Sequence, residues 1–317
     1  MNARRRFTIA LAAALGLGTG LCAPPSLAQN PVELHVGYIP AGIYAYFWRA
    51  NEAGYFAQEN LKVNLTVMAG GGVVIPALQA GSIQFGVSDA LGVINARNNG
   101  IDIKYVSLDF AQASDDPVHA VMTNDPNVKT PKDLVGKNVA TNLRYNTDWT
   151  MMREWLRRNG VDPNKVNFSE VPFPDMLGAV RNGTLAAAGM VEPFYTLGQN
   201  QGFRVLGHYF TDVKSPILFT GIVSSGDYIS KNPDVVERFV RAINKAIDDF
   251  NRDPTIARQT IAKNTKIPPD VVEKMHLGRW TTSSSLADMQ FWIDAARKEG
   301  LITSSNIKVE DMVWKGK

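Results

Sequence analysis

The sequence has a single cysteine, Cys22, and few of the residue patterns that catalytic centres use. Cys22 lies in segment 1–28, which has a basic start, an apolar centre and small residues at the spacing of a cleavage site, so we interpret it as a secretory signal peptide. Its removal excludes disulfides and cysteine metal sites from the mature chain. The four histidines are dispersed and no GxSxG or HExxH motif occurs, so no metal, cofactor or catalytic residue is predicted.

Long apolar runs and an excess of one charge are also missing. Beyond the signal peptide no stretch approaches the ~18–20 apolar residues that a membrane span needs, so direct membrane insertion is not expected. Arg4, Arg5 and Arg6 leave with the signal peptide, and the remaining basic residues balance the 30 Asp and Glu residues. This balance argues against nucleic acid or an anionic membrane as a partner.

Apolar, β-rich runs alternate with helix-compatible segments, which indicates an α/β fold with parallel sheets. The runs form two series in the same order: 32–38, 61–68, 83–89 and 101–108, then 136–142, 166–171, 184–191 and 203–209. The second series follows the first at a nearly constant offset, which predicts two similar lobes.

Two extended runs, 117–124 and 216–225, lie where the chain would pass from one lobe to the other and back. Two such crossing strands form a hinge. We therefore predict a discontinuous first lobe, 29–115 and 222–317, and a second lobe, 116–221.

The carboxyl ends of the strands supply the candidate ligand-binding residues, because ligands of open parallel sheets bind there. In the first lobe these are Tyr38, Tyr44, Gly71, Gly72, Ser88 and Asp89. Tyrosine rings offer flat faces to a ligand. The glycines lack the following Lys and Ser/Thr of a phosphate-binding loop, so we expect them to permit close backbone approach to a small ligand.

In the second lobe Asn142, Tyr145 and Asn146 precede a predicted helix. Backbone N–H groups at the start of that helix are suited to hold a carboxylate or a sulfonate. Helix capping by Asn146 or Thr147 is an equally good interpretation.

Glu192 is the only charged residue between Arg181 and Arg204, and it follows a run of small apolar residues. Either a ligand supplies the donor or cation that stabilises this partly buried charge, or Glu192 pairs with an arginine or caps a helix. His119, on the first crossing strand, is a further candidate for ligand binding beside a structural role.

Several stretches together resemble a known family: VGYIPAGIYAYFWRANEAGYFAQENLKV, GGGVVIPALQAGSIQFGVSDA, TPKDLVGKNVAT, AVRNGTLAAAGMVEPF and SKNPDVVERFVRAINKAI. They resemble the solute-binding proteins of ABC importers in the nitrate, sulfonate and taurine group, relatives of pyrimidine-precursor binding proteins. The resemblance implies a two-lobed type II periplasmic binding protein fold that closes on a ligand and docks on a membrane permease. It also implies that Tyr38 matches an aromatic position of pyrimidine-binding relatives, that Tyr44 lies on the next ligand-facing loop, and that Glu192 is a second-lobe contact.

These observations predict a monomeric, periplasmic component of an ABC importer rather than an enzyme. Its partners would be a membrane permease and a small planar or anionic ligand: a sulfonate, an aromatic carboxylate or a pyrimidine-like molecule. The alternative is an enzyme of the pyrimidine-precursor synthase type on the same fold. Yeast-type synthases of that kind carry a cysteine-rich motif, which the mature chain lacks.

Overall fold

The structure is a computed structural model that describes residues 30–68, 71–282, 286–303 and 307–316. The predicted signal peptide, 1–28, lies outside the described residues. Pro31–Lys317 form one compact unit. Among its described helices we find none with the length and hydropathy that crossing a membrane requires.

The strands of the described residues form two mixed sheets. In chain order they are β1 (Val32–Tyr38), β2 (Leu61–Val67), β3 (Phe85–Asp89), β4 (Ile103–Gln112), β5 (His119–Thr123), β6 (Asn138–Thr141), β7 (Asn167–Glu170), β8 (Ala187–Val191), β9 (Arg204–Gly207), β10 (Ile217–Ser225) and β11 (Arg279–Trp280). Every residue of the central strands β5 and β8 is buried, so neither strand alternates between a buried and an exposed face.

The two sheets share one strand order. The first is β2-β1-β3-β10-β4-β11 and the second is β7-β6-β8-β5-β9. In each sheet the strand that follows a crossing, β10 or β5, runs antiparallel to both of its neighbours. The predicted two-lobed α/β fold, with its repeated strand series, is confirmed. We call the six-stranded sheet with its packed helices the first lobe, and the five-stranded sheet with its helices the second lobe.

The chain passes from the first sheet to the second over 113–118 and returns over 208–216. The runs predicted as crossing strands mainly form β5 and β10, the strands that each crossing leads into. Because β10 belongs to the first sheet, the predicted lobe boundary at 221/222 falls inside a strand. An extended apolar run has the same sequence pattern whether it connects two sheets or joins one of them.

The helices of the described residues cover the sheets. They are α1 (Tyr46–Glu52), α2 (Tyr55–Gln58), α3 (Gly71–Gln79), α4 (Ala90–Asn98), α5 (Thr147–Arg158), α6 (Phe173–Arg181), α7 (Phe194–Asn200), α8 (Gly226–Lys231), α9 (Pro233–Arg252), α10 (Pro254–Asn264), α11 (Pro269–Lys274), α12 (Leu286–Lys298) and α13 (Val309–Met312), with 3-10 turns at Gly42–Tyr44, Pro131–Leu134 and Pro163–Lys165.

The longest of these helices, α9, packs against α1, α2 and α10 in the first lobe. Its apolar residues recur at helical spacing, and Val236, Phe239 and Ile243 are fully buried. The Phe239 ring stacks on Phe85 of β3 at 3.9 Å. This packing fixes β3 and therefore the residues that follow it at the edge of the sheet.

Candidate functional site

The carboxyl end of β3 holds a buried network of hydroxyl groups in the first lobe. The Ser88 carbonyl accepts hydrogen bonds from the Thr220 hydroxyl at 3.0 Å and the Tyr105 hydroxyl at 3.2 Å. The Tyr44 hydroxyl lies 2.9 Å from Thr220 Oγ1. All four residues are buried. Strand β10, which carries Thr220, thus fixes two of the predicted site residues, Ser88 and Tyr44, in one network.

Asp89 joins this network to the second lobe. Its Oδ1 accepts a hydrogen bond from Gly92 N at 2.7 Å and caps α4. Its Oδ2 accepts from both the backbone N–H and the hydroxyl of Thr147, at 3.0 and 2.9 Å. Thr147 is the first residue of α5. The carboxylate therefore lies at the N-terminus of a second-lobe helix, where the helix dipole favours negative charge.

A buried carboxyl group, Asp148, follows Thr147 directly in the chain. Asp148 accepts a hydrogen bond from the Tyr209 hydroxyl at 2.6 Å, and burial raises the pKa of Asp148 to about 7. A Cβ added to Gly189 of β8 would lie 3.2 Å from the Tyr209 hydroxyl. The absence of a side chain at Gly189 therefore gives the Tyr209 hydroxyl the space to reach Asp148.

His119 is buried beside this group. Its ring stacks on Phe210 at 4.4 Å, and the side-chain amide of Gln112 donates to its Nδ1 at 2.9 Å. Burial lowers the pKa of His119 to about 3. Its Nε2 lies 3.6 Å from Asp148 Oδ1, but with a neutral imidazole this contact is not an ion pair. The packing and the Gln112 contact match the structural role considered for His119.

A further buried carboxyl group, Asp109 in β4, was not predicted. It is fully buried, as is Tyr46 at the start of α1. Neither carboxyl oxygen of Asp109 nor the Tyr46 hydroxyl has a hydrogen bond of good geometry, although the two side chains lie close enough together for Tyr46 to favour the ionised form of Asp109. Burial raises the pKa of Asp109 well above its ordinary value. A lone acidic residue in the apolar run of β4 is the pattern that singled out Glu192, and the same reasoning applied to 103–112 would have found Asp109.

We call Asp89, Asp109 and Asp148 the acidic layer. Burial raises the pKa of the Tyr44 hydroxyl, and the charges of these three carboxyl groups raise it further. Tyr44 is therefore the residue at which the electrostatic effects of all three meet. Among the described residues no group of three or more His, Cys, Asp or Glu side chains converges as a metal site.

Glu192 lies at a separate contact between the lobes and is 2 % exposed. It accepts hydrogen bonds from Thr196 N and Thr196 Oγ1 at 3.1 and 2.8 Å, in the first turn of α7, and from the backbone N–H of His276 at 2.9 Å. Burial raises the pKa of Glu192. The carboxylate thus caps a second-lobe helix, as one of the two interpretations has it, and also contacts the chain beyond α11.

His276 adds further contacts at the same place. Its Nδ1 lies 2.7 Å from Asp116 Oδ1, and its ring stacks on Tyr195 of α7 at 5.3 Å. The hydrogen bond that the imidazole donates to Asp116 raises the pKa of His276. A further contact between the lobes is an ion pair: Glu299, beyond α12, pairs with Arg153 of α5 at 2.7 Å.

The remaining predicted residues have other environments. The Tyr38 ring packs edge-on against Trp48, whose indole N–H donates to the Tyr38 hydroxyl at 3.2 Å. Tyr145 has φ +65° and is 54 % exposed, and its ring packs against Trp149 at 5.1 Å. Neither tyrosine takes part in the hydrogen bonds of Asp89 or Asp148.

Asn146 caps α5 through Trp149 N at 3.0 Å, which confirms the capping interpretation, and its side-chain amide donates to Asn142 Oδ1 at 3.0 Å. Gly71 and Gly72 begin α3. A Cβ on Gly72 would meet no atom of the described residues within 4 Å, so no packing contact among them requires a glycine there.

A family model described as NMT1/THI5 like matches residues 42–257, more than half of the chain. The riboflavin-binding protein RibY of Chloroflexus aurantiacus is 25 % identical over 73 % of this chain and 65 % of its own length. A putative ABC transporter periplasmic binding protein of Brachyspira hyodysenteriae is 23 % identical over 63 % of this chain and 60 % of its own length. The chain therefore spans less than two thirds of either relative.

Among solved structures, the periplasmic aliphatic sulphonate binding protein SsuA from Escherichia coli matches with a TM-score of 0.74 and 20 % identity, over 90 % of this chain and 98 % of that one. This match confirms the periplasmic binding protein fold. All three of these proteins are named as binding proteins rather than enzymes. The chain belongs to the NMT1/THI5-like family.

Proposed function

We propose that this protein is the periplasmic solute-binding component of an ABC importer, which captures a small organic ligand between its two lobes and delivers it to a membrane permease. The observation that carries the proposal is the Asp89–Thr147 contact. It joins the two lobes within a buried layer of polar side chains at the carboxyl end of β3. This is the edge of an α/β sheet where ligands bind.

The buried layer is suited to binding rather than to chemistry. It has hydroxyl and carboxyl groups beside the aromatic rings of Tyr44 and Tyr46, and ligand-binding sites obtain affinity from burial and specificity from a few placed polar groups. A ligand that contacts both lobes stabilises their closed arrangement, and closure would present the surface that the permease recognises. The synthase alternative is not favoured, because the matched proteins are named as binding proteins.

A ligand screen tests this function. The mature chain, beginning near Gln29, is heated with each member of a library of small metabolites while its tryptophan fluorescence is followed. We expect at least one compound to raise the melting temperature and to decrease the radius of gyration in small-angle X-ray scattering, since ligand binds only the folded state. A well-folded sample that responds to no compound would contradict the proposal. Fractionation of expressing cells and N-terminal sequencing test the periplasmic location.

A further inference from the structure

The side of α5 that faces the first lobe carries charged side chains that pair across the boundary between the lobes. Arg153 and Arg157, about one helical turn apart, reach Glu299 beyond α12 at 2.7 and 2.5 Å. Lys298, at the end of α12, pairs with Glu154 of α5 at 2.5 Å, so here the cation belongs to the first lobe. We call these five side chains the α5–α12 cluster. Because its two sets of pairs have opposite polarity, they fix how α5 lies against α12.

The charge of Glu299 is neutralised from the second lobe. Its side chain is 3 % exposed, and its ion-pair partners among the described residues, Arg153 and Arg157, both belong to α5. The Arg153 guanidinium also lies over the Trp149 ring at 4.6 Å, and this contact helps to orient it. A buried carboxylate that loses its cations is strongly unfavourable. Glu299 therefore favours the arrangement of the lobes in which α5 lies against it.

Both helices are also attached to the second crossing, 208–216. The indole N–H of Trp155 in α5 donates to Asp212 at 3.1 Å. On the other side, Lys214 pairs with Asp288 in the first turn of α12. The α5–α12 cluster thus lies beside one of the two segments that connect the lobes. A rotation of the lobes about these segments would move α5 relative to α12 and break the pairs.

The packing between α5 and α12 is incomplete. A cavity of about 170 Å³ lies between the helices and is lined by Met151 of α5 and by Phe291 and Ala295 of α12. Thr150 also lines it and is buried, and its hydroxyl has no hydrogen-bond partner among the described residues. Both features weaken an interface, since protein interiors are close-packed and buried polar groups are nearly always paired. Charge, rather than close packing, therefore holds α5 against α12.

We propose that the α5–α12 cluster holds the two lobes in their closed arrangement when no ligand is bound. The inference goes beyond the proposed function, because it concerns the protein without ligand. The direction of the effect follows from the contact between Asp89 and Thr147, which already joins the lobes. Since these side chains touch, the lobes cannot close further there. Loss of the cluster therefore shifts the population toward more open arrangements.

The test measures the distance between the lobes in the ligand-free chain. A chain that begins at Gln29 contains no cysteine, so two spin labels can be attached at chosen positions. Gln79→Cys in α3 and Asp175→Cys in α6 place one label on each lobe, and both residues are exposed. Pulsed electron paramagnetic resonance then gives the distribution of distances between the labels at low salt.

Three variants are compared in this labelled chain. Glu299→Gln removes the charge that pairs with both arginines of α5. Lys298→Gln removes the more exposed pair and is the milder change. The matched control is Glu59→Gln, because Glu59 also pairs with two basic side chains, but both of them lie on α9 of its own lobe. Circular dichroism verifies that each variant is folded.

We expect a single short distance in the parent chain. Glu299→Gln should raise the ratio of open to closed molecules by about 10-fold or more, the effect of losing one charge-assisted hydrogen bond. Lys298→Gln should shift the distribution in the same direction by less, and Glu59→Gln should leave it unchanged. A parent chain that is already open would overturn the inference. So would folded Glu299→Gln or, if that variant does not fold, Lys298→Gln with the parent's distances. Because no ligand is used, the result is independent of the proposed function.

Discussion

The hydrogen bonds between Asp89 and Thr147 should stabilise the contact between the lobes by an amount that a double-mutant cycle can measure. The cycle consists of Asp89→Ala, Thr147→Val and the double variant. Thr147→Val removes the hydroxyl that donates to Asp89 Oδ2 at 2.9 Å, and Asp89→Ala removes that acceptor together with the cap on Gly92 N. The cycle cancels the cap and isolates the hydroxyl–carboxylate bond.

The magnitude follows from the geometry. A hydrogen bond to a charged group contributes about 1.5–3 kcal/mol. Asp89 is partly exposed whereas Thr147 is buried, so we expect a coupling energy near the lower end, about 1–2 kcal/mol. Asp89→Ala alone loses in addition a helix cap worth about 1 kcal/mol and the bond from Thr147 N, and it should be the more destabilising single change.

Urea unfolding followed by circular dichroism gives the four free energies of unfolding. Small-angle scattering on the same samples without ligand shows whether the radius of gyration increases when the contact is lost. A coupling energy within about 0.3 kcal/mol of zero, the usual limit of additivity for independent sites, would refute the view that this contact holds the lobes together.

Three further predictions concern the buried titratable groups. Because the pKa of Asp148 is about 7 in the folded protein and near 3.8 in the unfolded chain, the folded state holds a proton that the unfolded state loses as pH rises between them. The free energy of unfolding should thus decrease over pH 4–7, relative to Asp148→Asn, by about 1.4 kcal/mol for each pH unit, measured by urea unfolding at each pH. The His276–Asp116 interaction raises the pKa of His276, so the stability that this interaction contributes should be complete below about pH 6.5 and disappear as pH rises through the raised pKa. NMR titration of the imidazole in Asp116→Asn should give a lower pKa for His276 than in the parent. An unchanged pKa would contradict the assignment. Glu299 is 3 % exposed and pairs with both Arg153 and Arg157. Glu299→Gln should therefore destabilise the fold by about 2–3 kcal/mol in thermal or urea unfolding, less than the loss of a fully buried pair because both arginines reach solvent. A variant as stable as the parent would show that these pairs contribute nothing.

The sequence pattern predicted local structure well where all the residues that determine a feature lie in one short segment. The cap of α5 is an example: Asn146 and the first turn of the helix lie within four residues, and the structure has the Asn146–Trp149 bond. The repeated strand series is another, because alternation of apolar strands and helices records which faces are buried. The order of the residues along the chain therefore determined the α/β class and the two similar lobes.

Only the tertiary structure decided which distant residues meet. Thr220 is 132 positions from Ser88 along the chain. It contacts Tyr44 and Ser88 because the chain returns from the second lobe and β10 inserts between β3 and β4. Tyr209 meets Asp148 in the same way, across 61 positions. Such pairings depend on the order of strands in the sheet and on the space between neighbouring side chains. A short stretch of sequence encodes neither of these. Composition and periodicity thus determined the lobes, whereas the fold alone placed three acidic residues around Tyr44.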